Sequence, residues 1–221
     1  VKVHLRATAV PEFRVLPDNA FQVGLLEGKP TEVDIILYAT PGNPIRVLDA
    51  RTNRDNVKAV VNSFHGEVFD PVFDDAPKRR LGYKITLTFP PDFKEGMEYV
   101  RVLLITDSQK TPQFPVMVQV LKGIVVHPKS AFFSAVDVKG GASRVVTISH
   151  PTESFKILSA KSNNPQFEVQ TAPIQGKNNT SYAVTVKYLG GTEGELLGFV
   201  TIETDLEDYP VITIPINGTA K

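Results

Sequence analysis

Two stretches of this 221-residue chain follow one pattern. Residues 83–123 read YKITLTFPPDFKEGMEYVRVLLITDSQKTPQFPVMVQVLKG, and residues 182–218 read YAVTVKYLGGTEGELLGFVTIETDLEDYPVITIPING. Each begins with a tyrosine-led segment of alternating apolar and polar residues and passes a turn that contains glycine. An apolar segment ending in Thr-Asp and a last segment ending at glycine follow. Period-two alternation is typical of half-buried β-strands. The two stretches therefore predict an all-β chain that contains a tandem repeat.

The repeat extends upstream to a Val-x-Pro element with a phenylalanine four residues later, at Pro17 and again at Pro128. The offset between matching residues falls along the chain in loop-sized steps, as expected of a duplication in which loops absorb insertions and strands do not. It is 111 for Pro17/Pro128, 110 for Ile45/Phe155, 99 for Tyr83/Tyr182, 98 for Thr106/Thr204 and 95 for Pro115/Pro210. We expect one domain over residues 14–122 and a second over residues 123–221. Residues 1–13 are either an N-terminal strand or the remnant of a preceding repeat.

Seven short strands per copy, with regular turn signals and no capped helical stripe, predict two immunoglobulin-like β-sandwiches. In each copy the alternation assigns one face of the strands to the core. Val100–Ile105 is apolar on both faces, which predicts a central strand, whereas Pro215 predicts an edge position because proline cannot donate a ladder hydrogen bond. The residues expected in the two cores are Ile85, Leu87, Val102, Leu104, Val184, Val186, Val200 and Ile202.

The segment GFVTIETDLEDYPVITIPINGTA, residues 198–220, resembles a bacterial domain-of-unknown-function family allied to the ASPM–SPD–Hydin (ASH) immunoglobulin-like repeats. The resemblance covers nearly the whole chain from Phe13, and it implies a sandwich without known catalysis. It also implies an exported or surface protein of bacteria, and scaffolding is the role of the eukaryotic relatives. The first copy departs from the pattern at Tyr99, where no glycine precedes the strand. The matching residues are Gly198, Thr204-Asp205, Pro210 and Gly218, with Thr106-Asp107, Pro115 and Gly123 in the first copy.

Composition narrows the possible partners. The 24 basic and 24 acidic side chains cancel, and the longest basic cluster, Lys78-Arg79-Arg80, is too short for a phosphate-tracking groove, so nucleic acid is not an expected partner. The chain has no cysteine, which removes disulfides and thiolate chemistry. No run approaches the roughly 20 apolar residues of a membrane span. Because the sequence has no initial methionine or signal-type segment, we expect a trimmed protein or a fragment of a longer repeat array.

No set of residues in the sequence predicts a catalytic, cofactor or metal site. The four histidines, at positions 4, 65, 127 and 150, lack metal-ligand spacing and are expected at strand ends or on the surface. Two acidic loops lack the glycine-shaped turn of a calcium site, so their carboxylates are expected to be solvated. The glycine-rich segment Gly190–Gly194 precedes a strand, which predicts a hairpin turn and not a phosphate-binding loop. The acidic loops contain Asp70, Asp74 and Asp75 in the first copy and Asp205, Glu207 and Asp208 in the second.

One segment interrupts the repeat. The first copy carries 11 extra residues within Asn62–Arg80, and they include the apolar side chains of Val68, Phe69, Val72 and Phe73. One interpretation is an added edge hairpin that packs on its own domain. The other is an exposed patch in which Phe69 and Phe73 bind a neighbouring domain or a partner protein.

The sequence thus predicts a non-enzymatic structural, scaffolding or adhesion-type protein that is periplasmic, on the cell surface or extracellular. Its partner would be a protein, bound through loops or an open sheet edge. Two alternative functions fit the sequence less well. A pilus-type periplasmic chaperone also has two immunoglobulin-like domains, but those domains differ from each other. A carbohydrate-binding module usually has an aromatic platform, and this chain contains no tryptophan.

Overall fold

A computed structural model of the chain describes residues 11–40, 44–174, 181–191 and 193–221. Within these ranges the chain forms sixteen β-strands and no helix, and accordingly no helix there is long and apolar enough to cross a membrane. The segment Val1–Ala7, which the sequence assigns either to a preceding repeat or to a first strand, lies outside the described residues. Apart from the four residues Lys94–Met97, the described residues up to Val120 form one compact unit and the described residues from Leu121 onwards form a second.

The first unit contains strands β1 to β8 in two four-stranded sheets, ordered β1-β3-β6-β5 and β2-β8-β7-β4. Its long strands carry the alternating stretches of the sequence, so that every second side chain enters the space between the sheets. The bounds are β1 (Phe13–Leu16), β2 (Ala20–Gly24), β3 (Thr31–Ala39), β4 (Val47–Thr52), β5 (Lys58–Val68), β6 (Lys78–Phe89), β7 (Gly96–Thr106) and β8 (Gln113–Lys122).

The second unit repeats this plan with strands β9 to β16, ordered β9-β11-β14-β13 and β10-β16-β15-β12. Every strand of the first unit therefore has a counterpart eight strands later. The bounds are β9 (Val125–His127), β10 (Ala131–Val136), β11 (Ser143–Ser149), β12 (Ile157–Ser162), β13 (Phe167–Pro173), β14 (Ser181–Tyr188), β15 (Gly194–Thr204) and β16 (Val211–Ala220).

This is the immunoglobulin arrangement, in which one sheet holds the first, second, fourth and fifth strands and the other holds the third, sixth and seventh. Each unit has eight strands and not the predicted seven, because the first strand is divided between the sheets. Its second part pairs in parallel with the last strand, as in Ala131 opposite Ile216. The division falls at Pro17 and Pro128, each of which follows a cis peptide bond. Proline cannot donate to a ladder, so the chain leaves the first sheet at these positions.

The predicted core faces are confirmed. The eight side chains assigned to the cores by alternation are all fully buried. They lie in two separate hydrophobic clusters, one in each unit. Burial of an aliphatic side chain of this size contributes roughly 1.5–3 kcal/mol. The central position of β7, which contains Val100–Ile105, is also confirmed, because β7 lies between β8 and β4.

Two expectations about prolines are wrong. Pro215 lies in β16, an inner strand of its sheet, and is tolerated because β10 pairs with β16 only from Ile216 onwards. Pro115 is not the counterpart of Pro210. The amide of Thr106 donates to the carbonyl of Pro112 at 3.0 Å, and the amide of Thr204 donates to that of Pro210 at 3.0 Å. The two loops therefore have equal length.

The Thr-Asp pair that marks both repeats has a structural role. The hydroxyl of Thr106 donates to the carbonyl of Thr111 at 2.5 Å and closes the loop after β7. The adjacent Asp107 carboxylate accepts from the Arg46 amide at 2.7 Å, while its own amide donates to the Arg46 carbonyl. These bonds fix the start of β4 against the end of β7. In the second unit Thr204, Asp205 and Lys156 form the same bonds with Tyr209 as the loop acceptor.

An asparagine fixes the other end of the same strand pair. The Asn53 side chain accepts from the Arg101 amide at 2.8 Å, and the Asn53 amide donates to the Arg101 carbonyl. Asn163 forms the equivalent two bonds with Phe199. Each unit thus has two exchanges of hydrogen bonds that hold β4 or β12 in register with its neighbour, which explains why these polar residues recur at strand ends.

Candidate functional site: the inserted hairpin

The 11 extra residues lengthen the hairpin of β5 and β6. In the second unit the corresponding strands pair as far as Pro173 opposite Tyr182. In the first unit the pairing continues five residues beyond the equivalent pair Ser63–Tyr83 and ends at Val68 opposite Lys78. Because β5 is the edge strand of its sheet, the expected added edge hairpin is confirmed, but Phe69, Val72 and Phe73 stay exposed and do not pack on the domain. Residues 69–77 form the loop at its tip.

A buried carboxylate anchors this loop to the sheet. Asp70 is fully buried, and its carboxylate accepts from Arg14 Nε at 2.7 Å and from Arg14 Nη2 at 3.1 Å. The Tyr38 hydroxyl donates to it at 2.7 Å and the Val72 amide at 3.0 Å. Arg14 lies in β1 and Tyr38 in β3, so one side chain of the loop connects two strands that are distant from it in sequence.

A second carboxylate extends the network. The Asp74 side chain accepts from Arg80 Nη2 at 2.7 and 3.0 Å and from Lys78 Nζ at 3.0 Å. The Asp74 amide donates to the Asp70 carbonyl at 2.8 Å, which joins the two groups through the backbone. The Arg80 guanidinium also lies 4.8 Å from the centre of the Tyr38 ring. We call Arg14, Tyr38, Asp70, Asp74 and Arg80 the anchor network.

The electrostatics of the network favour its charged state. The hydrogen bonds from Arg14 outweigh desolvation and, with those of Tyr38 and Val72, lower the pKa of Asp70 to about 2. Burial works against the ionised form of Asp74, but the bonds from Lys78 and Arg80 hold its pKa below the ordinary value. Desolvation, reinforced by Asp70, raises the pKa of Tyr38 to about 12. Both aspartates are therefore ionised and the tyrosine is protonated over the whole physiological range.

A small hydrophobic cluster supports the hairpin on the outer face of its sheet. Leu16, Tyr38 and Val68 are buried together, and Ile36 and Phe64 pack against them. The sheet is closely packed at this point, since a Cβ atom on Gly82 would lie 2.1 Å from the Leu37 carbonyl oxygen. The insertion thus has a core of its own, separate from that of the sandwich.

The two predicted binding residues are exposed at the tip of this supported hairpin. Phe69 is 50 % exposed and Phe73 is 45 % exposed, and Val72 between them is 66 % exposed. The Arg14 guanidinium lies 5.1 Å from the centre of the Phe73 ring, a cation–π contact between the tip of the hairpin and the anchor network. The arrangement presents three apolar side chains on a loop whose backbone is held by buried ion pairs. We call Phe69, Val72 and Phe73 the tip patch.

The prediction that the acidic loops are solvated is wrong for Asp70 and Asp74, which are buried and paired. Asp70 pairs with Arg14, which is 56 residues away in the sequence, whereas Asp74 pairs with the nearby Lys78 and Arg80. His150 directly follows β11, which confirms its expected place at a strand end; it is buried there, and its Nδ1 atom accepts from the Glu153 amide at 2.9 Å. Across the described parts of the chain, no group of three or more His, Asp or Glu side chains is placed to hold a metal ion.

Comparisons with known proteins give structural neighbours only. No protein-family model matches the chain, and no curated protein sequence matches it. A solved protein of unknown function from Porphyromonas gingivalis W83 has 12 % identity, covers 95 % of this chain and 100 % of its own, and has a TM-score of 0.35. Extracellular cadherin domains 1–4 of protocadherin gamma B7 have 9 % identity, with 95 % and 51 % coverage and a TM-score of 0.33. An I-band fragment of titin has 10 % identity, 96 % and 67 % coverage and a TM-score of 0.29.

These TM-scores are all below 0.5, so the fold assignment rests on the strand order and register described above. That order shows two tandem β-sandwich units of immunoglobulin type.

Proposed function

We propose that the chain is a non-enzymatic structural or adhesion-type segment of tandem immunoglobulin-like units that binds a partner protein through the tip patch. Membership of the ASH-allied repeat family, and an exported or cell-surface location, are parts of the same proposal. They are supported by the Thr-Asp pair of both copies and by Gly198 and Gly218 of the second copy. The single observation that carries the binding proposal is the exposure of Phe69 and Phe73 on an anchored loop.

Two physical arguments support the tip patch as a binding surface. Leaving a large apolar side chain in water forfeits the roughly 1.5–3 kcal/mol that its burial contributes, and here three such side chains lie together. The anchor network also limits the conformational freedom of the loop, which reduces the entropy lost when a partner orders it. Exposed aromatic side chains on a preorganised loop are typical of interface anchors.

The proposal is tested with the double variant Phe69→Ser/Phe73→Ser. The matched control is Phe132→Ser/Phe199→Ser in the second unit, because those rings are similarly exposed, at 58 % and 42 %. Self-association is measured by analytical ultracentrifugation, and partner capture by affinity purification from the source cells. We expect the first variant to lose the association and the control to retain it, with both proteins folded by circular dichroism. Equal retention by the two variants would contradict the proposal.

A further inference from the structure

The lengthened hairpin also creates a cleft on its inner side, away from the tip patch. The cleft has a volume of about 740 Å³ and lies within the first unit. Ser63, His65, Leu81 and Tyr83 line it from the hairpin. Tyr83 faces the core of the sandwich, and the pairs Ser63–Tyr83 and His65–Leu81 place all four side chains on that same inner face. The volume is within the roughly 300–1,000 Å³ of ligand sites.

Part of the inner face of the hairpin is exposed to solvent. Leu81 is on the inner face and is nevertheless 71 % exposed. The cleft also reaches Leu37 of β3 and Ile45, which precedes β4 of the opposite sheet, and both belong to the buried core. The apolar floor of the cleft is therefore continuous with the hydrophobic core.

The far side of the cleft is polar and contains a cation. Arg46 and Asp107 line it, and Asp107 already accepts from the Arg46 amide. Among the described residues the Arg46 guanidinium forms no ion pair, so its charge is available to a ligand. Beside the cleft, β5 is an edge strand over its 11 residues, and an edge strand offers main-chain donors and acceptors to an added strand.

We infer that the cleft binds an extended peptide segment of a partner protein, which adds to the edge of β5. Alternate side chains of such a peptide point to one face. One of them, a large apolar side chain, lies on Leu81 and Tyr83. A neighbouring side chain on the same face is a carboxylate that pairs with Arg46. This site shares no residue with the tip patch and does not depend on it.

The test uses two fluorescein-labelled peptides and fluorescence polarisation at low ionic strength. The acidic probe is Ser-Thr-Asp-Thr-Phe-Thr-Asp-Thr-Ser, whose symmetry makes strand direction unimportant, and the second probe has lysine in place of both aspartates. We expect the wild-type protein to bind the acidic probe about fivefold more tightly, the ratio expected of one exposed charge pair. Leu81→Ser should weaken the binding of both probes, and the high exposure of Leu81 makes this variant safe for the fold.

Arg46→Glu should reverse the preference between the probes. Its matched control is Lys156→Glu, the equivalent position in the second unit, where the backbone forms the same bonds with Asp205. Both substitutions change the net charge equally, and both leave these backbone bonds in place. The inference is overturned if the acidic probe shows no saturable binding, if Leu81→Ser binds as the wild type does, or if the two charge variants behave alike. Phe69→Ser/Phe73→Ser should bind both probes normally, so that failure here is distinguished from failure of the proposed function.

Discussion

Replacing Asp70 with asparagine tests the anchor network most sharply. Asn is nearly isosteric with the protonated acid, so Asp70→Asn removes the charge and keeps the shape of the side chain. Its NH2 group cannot accept the two hydrogen bonds made to the oxygen that it replaces, and this adds a loss that does not depend on pH. The ordinary pKa of 3.8 and the folded-state pKa of about 2 together correspond to roughly 2 kcal/mol of stability at neutral pH. Arg14 retains some contact with water, its side chain being 24 % exposed, which limits the additional cost of leaving it unpaired.

The destabilisation caused by Asp70→Asn should become smaller as the pH falls. Because folding lowers the pKa of Asp70, the stabilisation is complete above its unfolded-state pKa and is lost as the pH falls through about 2. The part of the stability difference between wild type and Asp70→Asn that comes from the charge should therefore fall to about half at pH 3. The control is Asp75→Asn, because Asp75 is an exposed residue of the same loop. This substitution should leave the free energy of unfolding unchanged at both pH values.

Amide hydrogen exchange measured by mass spectrometry at increasing urea concentration is the suitable assay, because it follows the two units separately. Peptides from β1, β3 and β6 report on the first unit, and those from β14 and β15 provide an internal reference. The reasoning is refuted if the urea midpoint of the first unit is the same in the wild type and in Asp70→Asn at pH 7. It is also refuted if the difference between them does not change between pH 7 and pH 3.

Further predictions concern the core, the loops, the tyrosine and metal ions. Leu104→Ala should lower the free energy of unfolding by about 2–5 kcal/mol in denaturant titrations, since Leu104 is fully buried; an unchanged midpoint would show the face assignment to be wrong. Thr204→Val should cost about 1 kcal/mol by removing the loop-closing hydroxyl, and an equal midpoint for wild type and variant would show that the bond contributes nothing. Spectrophotometric titration should find Tyr38 ionising near pH 12. The stability that the protonated hydroxyl contributes should be complete below pH 10 and lost as the pH rises through about 12. The titration step near pH 12 should be absent from Tyr38→Phe, which checks that it belongs to Tyr38. EDTA should leave the melting temperature unchanged, and a shift of several degrees on adding calcium would contradict this.

The sequence predicted the parts of the fold that depend on periodicity. Alternation identified the buried faces of β6, β7, β14 and β15 because a strand with one wet face must place every second residue in the core. The repeated threonines Thr106 and Thr204 identified equivalent strand ends, because each closes the loop that follows its own strand. The lengths of the loops and the division of the first strand were less accessible, because they depend on which sheet a short segment joins.

Local sequence patterns do not predict the anchor network. Asp70 and its main partner Arg14 are 56 residues apart, and the loop sequence around Asp70 looks like any hydrophilic turn. The composition of the insertion held one signal, namely apolar residues beside charges of both signs. That signal predicted the added hairpin and drew attention to Phe69 and Phe73. It did not reveal that buried carboxylates hold the hairpin in place, nor that the inner side of the hairpin forms a cleft.

Site-specific photo-crosslinking tests most directly whether the tip patch binds a partner protein. A benzoylphenylalanine photoprobe replaces Phe69 in one protein and the similarly exposed Phe132 in another, and both are irradiated in the cells that produce the chain. We expect a discrete crosslinked product from position 69, identified as one protein by mass spectrometry, and no such product from position 132. Absence of a product at position 69, or the same products at both positions, would contradict it.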